Sequence, residues 1–330
     1  MGRLFSRAIS LTSVGLIVML GAGCGSAAGH GAPAGLEKTT LTVGAVPVAD
    51  EAGLFIAQDD NLFKDEGLDV KIVPIVSSAV ATQKQNDGTF DITAGNSVSY
   101  IQDQVTRQSN LEIVAEGSLM QPNNQVLYTL PGSPLTSITD LGHARIGVNV
   151  TKNIGTLLIS SVLEEHGVSL SHVQFVAIPN GFPGMAQALQ KHQIDVAWLP
   201  EPFGSMDAMH YGLQEVADLD QGATTSFPVG WYVVTKAWAK KYPRTLTAFL
   251  DALQQGQEIA DTDRSAVEQA MEKLPKPYGV PPAIAAVMSL ENYPLSVAPG
   301  IDLSRVQRVA DAMYQFRMLT QPFRVGSMLG

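Results

Sequence analysis

Cys24 is the single cysteine among 330 residues, so no disulfide can form within the chain and packing alone must stabilise it. The six histidines, His30, His143, His166, His172, His192 and His210, are scattered and show no His-x-x-x-His spacing. No Cys-x-x-Cys, Gly-x-Ser-x-Gly elbow or Walker loop is present. These absences remove the commonest metal, redox, acyl-transfer and nucleotide chemistries; no catalytic residue, metal or cofactor is expected, and the chain reads as a non-enzyme. Basic residues are the minority, 21 against 31 acids, which argues against nucleic acid and anionic membrane surfaces as partners. An apolar stretch near the start is too short and too abruptly ended to be a spanning helix, and no further apolar run is long enough to span a bilayer.

That stretch has the layout of a secretory signal peptide: Arg3 and Arg7, an apolar run from Leu11 to Leu20, then Gly21-Ala22-Gly23-Cys24. A lone cysteine directly after small residues suggests a bacterial lipoprotein signal in which Cys24 is acylated and becomes the new amino terminus. Such signals read Leu-(Ala/Ser)-(Gly/Ala)-Cys, whereas Leu20 lies one place further away, so a plain signal peptide with a bystander cysteine stays open. Lipidation is preferred because a free thiol in an exported protein otherwise needs a reason. Removing residues 1–23 leaves 19 bases against 31 acids, a net charge of −12. Residues 24–38 then form a tether rich in Gly, Ala and Ser.

The body repeats itself at about one hundred residues. Thr42-Val43-Gly44-Ala45-Val46 predicts a strand leading into a helix through Leu54, Phe55 and Ala57, and Ala144 to Val148 leads in the same way into a helix through Leu157, Leu158 and Val162. Lys64-Asp65-Glu66-Gly67-Leu68 followed by a strand at Val70 to Ile75 is echoed by Glu164-Glu165-His166-Gly167-Val168 and Val173 to Ile178. Phe90-Asp91-Ile92 is echoed by Ile194-Asp195-Val196. The offsets are 103 from Gly44 to Gly147, 100 from Gly67 to Gly167 and 104 from Asp91 to Asp195. Any βαβ chain has glycine-capped helices; the shared order at near-constant offset points to two similar α/β lobes. Asp91 and Asp195 could be taken for a carboxylate pair, but their matched places before a strand favour a turn or capping role.

A strand at Val229 to Thr235, a long helix near Arg244 to Ala260 and helical patterns at Pro282 to Leu290 and Leu303 to Leu319 do not begin a third unit. The chain is expected to cross back, with residues 39–129 plus 230–330 as lobe 1 and 130–229 as lobe 2. Hinges are expected near Leu127 to Leu130 and Phe227 to Gly230.

Leu62-Phe63-Lys64-Asp65-Glu66-Gly67-Leu68-Asp69-Val70, Gly88-Thr89-Phe90-Asp91-Ile92, Ile194-Asp195-Val196-Ala197-Trp198 with Glu201-Pro202-Phe203, and Val233-Val234-Thr235 before a Tyr242-Pro243 helix together resemble one family. It is that of the substrate-binding proteins of ABC importers in the sulfonate, taurine and nitrate branch, which also holds the thiamine-precursor (pyrimidine) binders. Asn61 stands where that family has glycine. The resemblance runs over nearly all of residues 40 to 320. It implies a type II periplasmic-binding fold, two doubly wound lobes with the ligand cleft between them. It also implies a solute-capturing lipoprotein on the outer face of the cytoplasmic membrane, held there by its lipid alone. Its partners would be a small solute and the permease and ATPase subunits, and it would act as a monomer. The alternatives are an exported solute sensor and an enzyme like the pyrimidine-precursor synthases, whose cysteine-rich motif this chain lacks.

Open α/β sheets bind ligands beyond the carboxyl ends of their strands, where helix N-termini point. From lobe 1 this selects Pro47 and Asp50 after the first strand, Ser77 and Ser78 after the second, and Asn96 and Ser97 after the third, each of which could equally be cap chemistry. From lobe 2 it selects Thr151, Lys152, Asn153 and Thr156 at a helix start, the glycine-containing Asn180 to Gly184 loop, and Trp198 and Glu201. Lys152 is the only basic residue in these loops; it could pair with an anion or be a solvated surface lysine. Trp198 could stack on a ring or pack in the core, and Glu201 could accept from the solute or serve the lobe interface. Phe227 and Trp231 flank the return crossing. Lys152 and the helix N-termini favour an anion such as a sulfonate, whereas Asp50, Glu51, Glu201 and the aromatics favour a donor-bearing ring; the two stay open.

Overall fold

The computed structural model describes residues 35–107 and 109–330. The expected signal peptide, Cys24 and most of the tether lie outside the described residues. Strand β1 (Thr40–Ala45) runs through a tight turn at Ala49–Glu51 into α1 (Ala52–Asp59) and α2 (Leu62–Asp65). Then come β2 (Asp69–Pro74), α3 (Ser78–Asn86), β3 (Ile92–Asn96), α4 (Ser97–Arg107) and β4 (Leu111–Leu119). A second series follows: β5 (Gln125–Thr129), β6 (Arg145–Val148), α5 (Ile154–Glu165), β7 (Gln174–Ala177), α6 (Met185–Gln190), β8 (Val196–Pro200), α7 (Phe203–Tyr211) and β9 (Gln214–Asp218). The chain closes with β10 (Pro228–Thr235), α8 (Lys236–Lys241), α9 (Pro243–Thr262), α10 (Arg264–Lys273), α11 (Pro282–Ala285) and α12 (Leu303–Gln315).

Two five-stranded sheets result, ordered β2-β1-β3-β10-β4 and β7-β6-β8-β5-β9. In each, three strands run parallel and the fourth is antiparallel to its neighbours. That fourth strand is the one that has just crossed from the other lobe: β5 follows β4, and β10 follows β9. The two-lobed α/β fold anticipated from the internal echo is therefore present.

The echo has a physical basis at the aspartates. Asp91 accepts from the Thr42 backbone N–H at 2.9 Å, and Asp195 from that of Arg145 at 2.8 Å. Each carboxylate ties the loop before a parallel strand to the start of its neighbour, a structural task done once per lobe. Asp91 also receives the Trp238 indole, and Asp195 a bidentate Arg145. Asn61 sits at φ 63°, the left-handed region that glycine and asparagine enter at least cost, which accounts for the exchange at that position.

The boundary between lobes differs from expectation. β5 pairs with β8, Leu127 opposite Trp198 and Val126 opposite Leu199, so residues 125–129 belong to the second sheet, not the first. Pro228 and Val229 likewise belong to the first sheet, where Pro228 lies opposite Leu119. The crossings are 120–124 and 219–227, earlier than the expected hinges, and Met120 donates to the Phe227 carbonyl at 3.0 Å to join them. An apolar strand carries no mark of which sheet it joins; its partners lie some seventy residues away.

Helix α9 buries Ala248, Phe249, Ala252, Leu253, Gly256 and Ala260 at helical spacing, and Phe249 stacks on Phe63 at 5.1 Å. It holds the end of the chain on lobe 1, as expected. The helix anticipated up to Leu290 stops at Ala285. Beyond it the chain runs extended along β4, with Leu119 opposite Asn292 and Ala115 opposite Val297, and so covers an edge that would otherwise be open. This strap places Glu291 beside the crossings.

Candidate functional site

The carboxyl ends of the two sheets face each other across a narrow cleft of about 40 Å³, well below the usual range for small-molecule sites, so a solute of that size needs the lobes to part. Both lobes line it. Lobe 1 gives Val46, Val48, Asp50, Glu51, Ser78, Gly95, Asn96, Val229 and Gly230; lobe 2 gives Gln125, Asn149, Asn153, Ile154, Phe182, Trp198 and Pro200.

The apolar wall is built from lobe 2. Trp198 lies at the middle of β8, its indole N–H donating to Gln125 Oε1 at 3.0 Å and its ring meeting Phe182 edge-on at 5.3 Å. Gly155 makes room for it: a Cβ there would lie 2.3 Å from the indole ring. Lobe 1 supplies charge. The turn at Ala49–Glu51 tucks both Asp50 and Glu51 inside, and the Ala49 N–H crosses to the Glu201 carbonyl at 2.9 Å. Asp50 accepts from Ser118 Oγ at 3.2 Å. Burial pushes its carboxyl up to about 6. Burial also pushes Glu51 well above the usual carboxylate range, and the neighbouring Asp50 charge adds to the effect. Glu51 Oε2 has no hydrogen-bond partner among the described residues.

Amides complete the lining, and much of their capacity serves the helix starts. Asn96 Oδ1 accepts from the Ser99 N–H at 2.9 Å and caps α4; Asn153 and Thr156 exchange side-chain and backbone bonds and cap α5. Asn96 reaches Ser78 Oγ through both its backbone and side-chain nitrogens, at 2.9 Å each. Gly95 permits this, since a Cβ would lie 2.3 Å from that hydroxyl. Asn149 receives the Asn153 amide at 2.7 Å and spans the cleft to the Val76 carbonyl at 3.4 Å.

Of the residues singled out from sequence, Asp50, Ser78, Asn96, Asn153 and Trp198 line the cleft together. The others do not. Pro47 and Ser77 are buried beside it, and Thr156 is turned to capping. Ser97 donates to the Pro228 carbonyl at 3.0 Å, packing α4 on the return strand. Thr151 and Lys152 are exposed and line a separate groove with Asp103 and Arg107. Glu201 is held by the Ser205 N–H and hydroxyl and by the Ser289 N–H, so its carboxylate joins α7 to the strap instead of facing a solute. Phe227 and Trp231 are core residues; Arg308 lies over the Phe227 ring at 5.1 Å, and Trp231 is fully buried in β10.

Asn149, Gln125 and Pro200 escaped sequence reasoning as site residues, and Phe182 entered only as part of the Asn180 to Gly184 loop. The echo held a signal for two: Asn149 is 103 residues after Val46, and Pro200 is 104 after Asn96. Gln125 gave none, because its place depends on the crossing.

A family model described as NMT1/THI5 like matches residues 49–263, which includes every lining residue but Val46 and Val48. The chain belongs to the NMT1/THI5-like family. No curated protein matches its sequence. Among solved structures, the alkanesulfonate-binding protein of Xanthomonas axonopodis pv. citri, determined with MOPS bound, is similar with a TM-score of 0.73 and 17% identity, over 89% of this chain and 98% of that one. The periplasmic nitrate-binding protein of Synechocystis PCC 6803 is similar with a TM-score of 0.71 and 14% identity, over 86% of this chain and 83% of that one. The desulfurization enzyme DSZB matches with a TM-score of 0.65 and 15% identity, over 89% of this chain and 96% of that one. At these identities the likeness is one of fold, and this family member has the periplasmic-binding-protein fold.

Proposed function

We propose that this family member is the solute-binding component of an ABC importer, exported and anchored outside the cytoplasmic membrane through Cys24, acting as a monomer that delivers its solute to a permease. The observation that carries the reading is a cleft lined by both lobes at the carboxyl ends of both sheets, with two chain crossings behind it. Solute that touches both lobes stabilises the closed form over the open one, and only such differential affinity can drive closure. Binding is favoured over catalysis because the lining holds no Cys, His, Lys or Arg, and its hydroxyl, on Ser78, is engaged by Asn96. Of the two solute classes left open by the sequence, the lining favours the donor-bearing ring: two carboxylates and four amides face an aromatic wall, and Lys152 lies elsewhere.

The test is a thermal-shift screen of sulfonates, taurine, nitrate and pyrimidines, followed by solution scattering with any hit. A ligand at a hundred times its dissociation constant adds about 2.7 kcal/mol to stability. A bound ligand that leaves the radius of gyration unchanged would sink the closure mechanism. Replacing Cys24→Ala is expected to release the protein from the membrane fraction without changing ligand affinity, measured by fractionation and titration.

A further inference from the structure

We infer that the solute of this cleft carries a positive charge, as a protonated amine, amidine or guanidine on a flat body, and that the Asp50–Glu51 pair is its counter-charge. The inference rests on the solute-binding reading and names the class of solute. Its first support is the charge of the lining, two carboxylates and no basic side chain. Its second is Glu51, 1% exposed, a wall of the cleft, and left with an oxygen that nothing in the described protein satisfies. A buried acceptor of this kind is costly unless something donates to it, and a cationic N–H donor is the strongest available complement.

Helix N-termini, the usual anion sites, do not offset this. One first-turn amide in each of α4 and α5 is engaged, by Asn96 and by Asn153; α1, α3 and α6 have no side-chain cap, but Glu51 itself stands at the start of α1. An anion here would meet two carboxylates and little compensation. The wall of Trp198 and Phe182 suits the flat body and favours a cation over its faces. The cleft thus differs in chemistry from what the names of the sulfonate- and nitrate-binding neighbours indicate for those proteins.

A proton is the competing cation. The groups around the pair are Ser118 on β4, Tyr232 on β10, Tyr100 on α4, and Glu291 and Tyr293 on the strap, with Asp220 beyond Glu291; none is basic. Burial and mutual repulsion make the empty pair retain a proton, which a bound cation expels, so affinity for a permanent cation rises with pH.

The experiment titrates the full-length protein with four near-isosteric probes, benzamidine, benzamide, benzoate and benzenesulfonate, by calorimetry. Benzamidine is expected to bind at least about tenfold more tightly than benzamide, and the two anions not at all. Its affinity is expected to rise between about pH 5 and about pH 8, where the probe stays charged. Asp50→Asn and Glu51→Gln, which keep shape and remove charge, are each expected to erase the preference. Unaltered benzamidine binding in both variants overturns the assignment. Benzoate or benzenesulfonate binding as tightly as benzamidine overturns it while leaving the solute-binding reading intact. Silence from all four probes overturns it as well, and the solute-binding reading then stands or falls on the wider screen above.

Discussion

Asp50 from the first lobe and Asn153 from the second stand 103 residues apart in matching places, each in the turn after its lobe's leading parallel strand, yet one is a carboxylate and the other an amide. The difference extends across the cleft. Lobe 1 brings the buried Asp50 and Glu51, the latter with an oxygen that lacks a partner among the described residues, whereas lobe 2 brings Trp198, Phe182 and a set of amides bonded to one another and to the indole. A duplicated scaffold thus holds two unlike half-sites, one electrostatic and one shaped. Since the sheets share one order, what a half-site does is decided by the loops after the strands and by the side chains that the strands themselves turn into the cleft, Trp198 and Gln125 among them.

The sharpest break of the comparison is Trp198→Ala, which removes the wall of lobe 2. Loss of a buried indole is expected to cost about 3–5 kcal/mol, read by urea unfolding, together with loss of any aromatic ligand. Asp50→Asn tests lobe 1. The raised carboxyl holds its proton in the folded state, so its contribution is fully present below pH 4 or so and lost as pH rises through about 6. A shift of roughly two units corresponds to about 3 kcal/mol. The variant without ligand is therefore expected to match the parent at low pH and exceed it in stability near neutrality, as urea midpoints across pH would report. Asn153→Ala removes the cap of α5 and one support of Asn149, at an expected cost of about 1 kcal/mol with weaker binding. Lys152→Ala, outside the cleft, is expected to change stability by less than about 0.5 kcal/mol and binding not at all; a marked loss of affinity would return charge to lobe 2.

The contrast also shows what a sequence discloses. Periodicity and glycine caps marked the parallel strands and their order, because βαβ units are built from contacts close in sequence. The same local logic found Asp50, Ser78, Asn96 and Asn153, which sit where strands end. It mistook Glu201, whose partners include Ser289, 88 residues on, and Trp231, whose burial follows from β10 lying between β3 and β4. Lys152 was attractive as the only base in those loops, but its exposure depends on how the two lobes meet. Gln125 and the unpartnered state of Glu51 were invisible for the same reason: both depend on the crossings and the strap.

The exchange of fourth strands governs the order in which the molecule can be completed as the chain emerges. The second sheet needs only residues 125–218, one unbroken stretch. The first sheet starts earlier, yet β3 and β4 have no common neighbour until β10, residues 228–235, arrives to lie between them. Domains form as units as the chain emerges. The lobe that begins this chain is thus the last to be finished, and a chain stopped before residue 228 would carry a whole lobe 2 beside a sheet split down its middle.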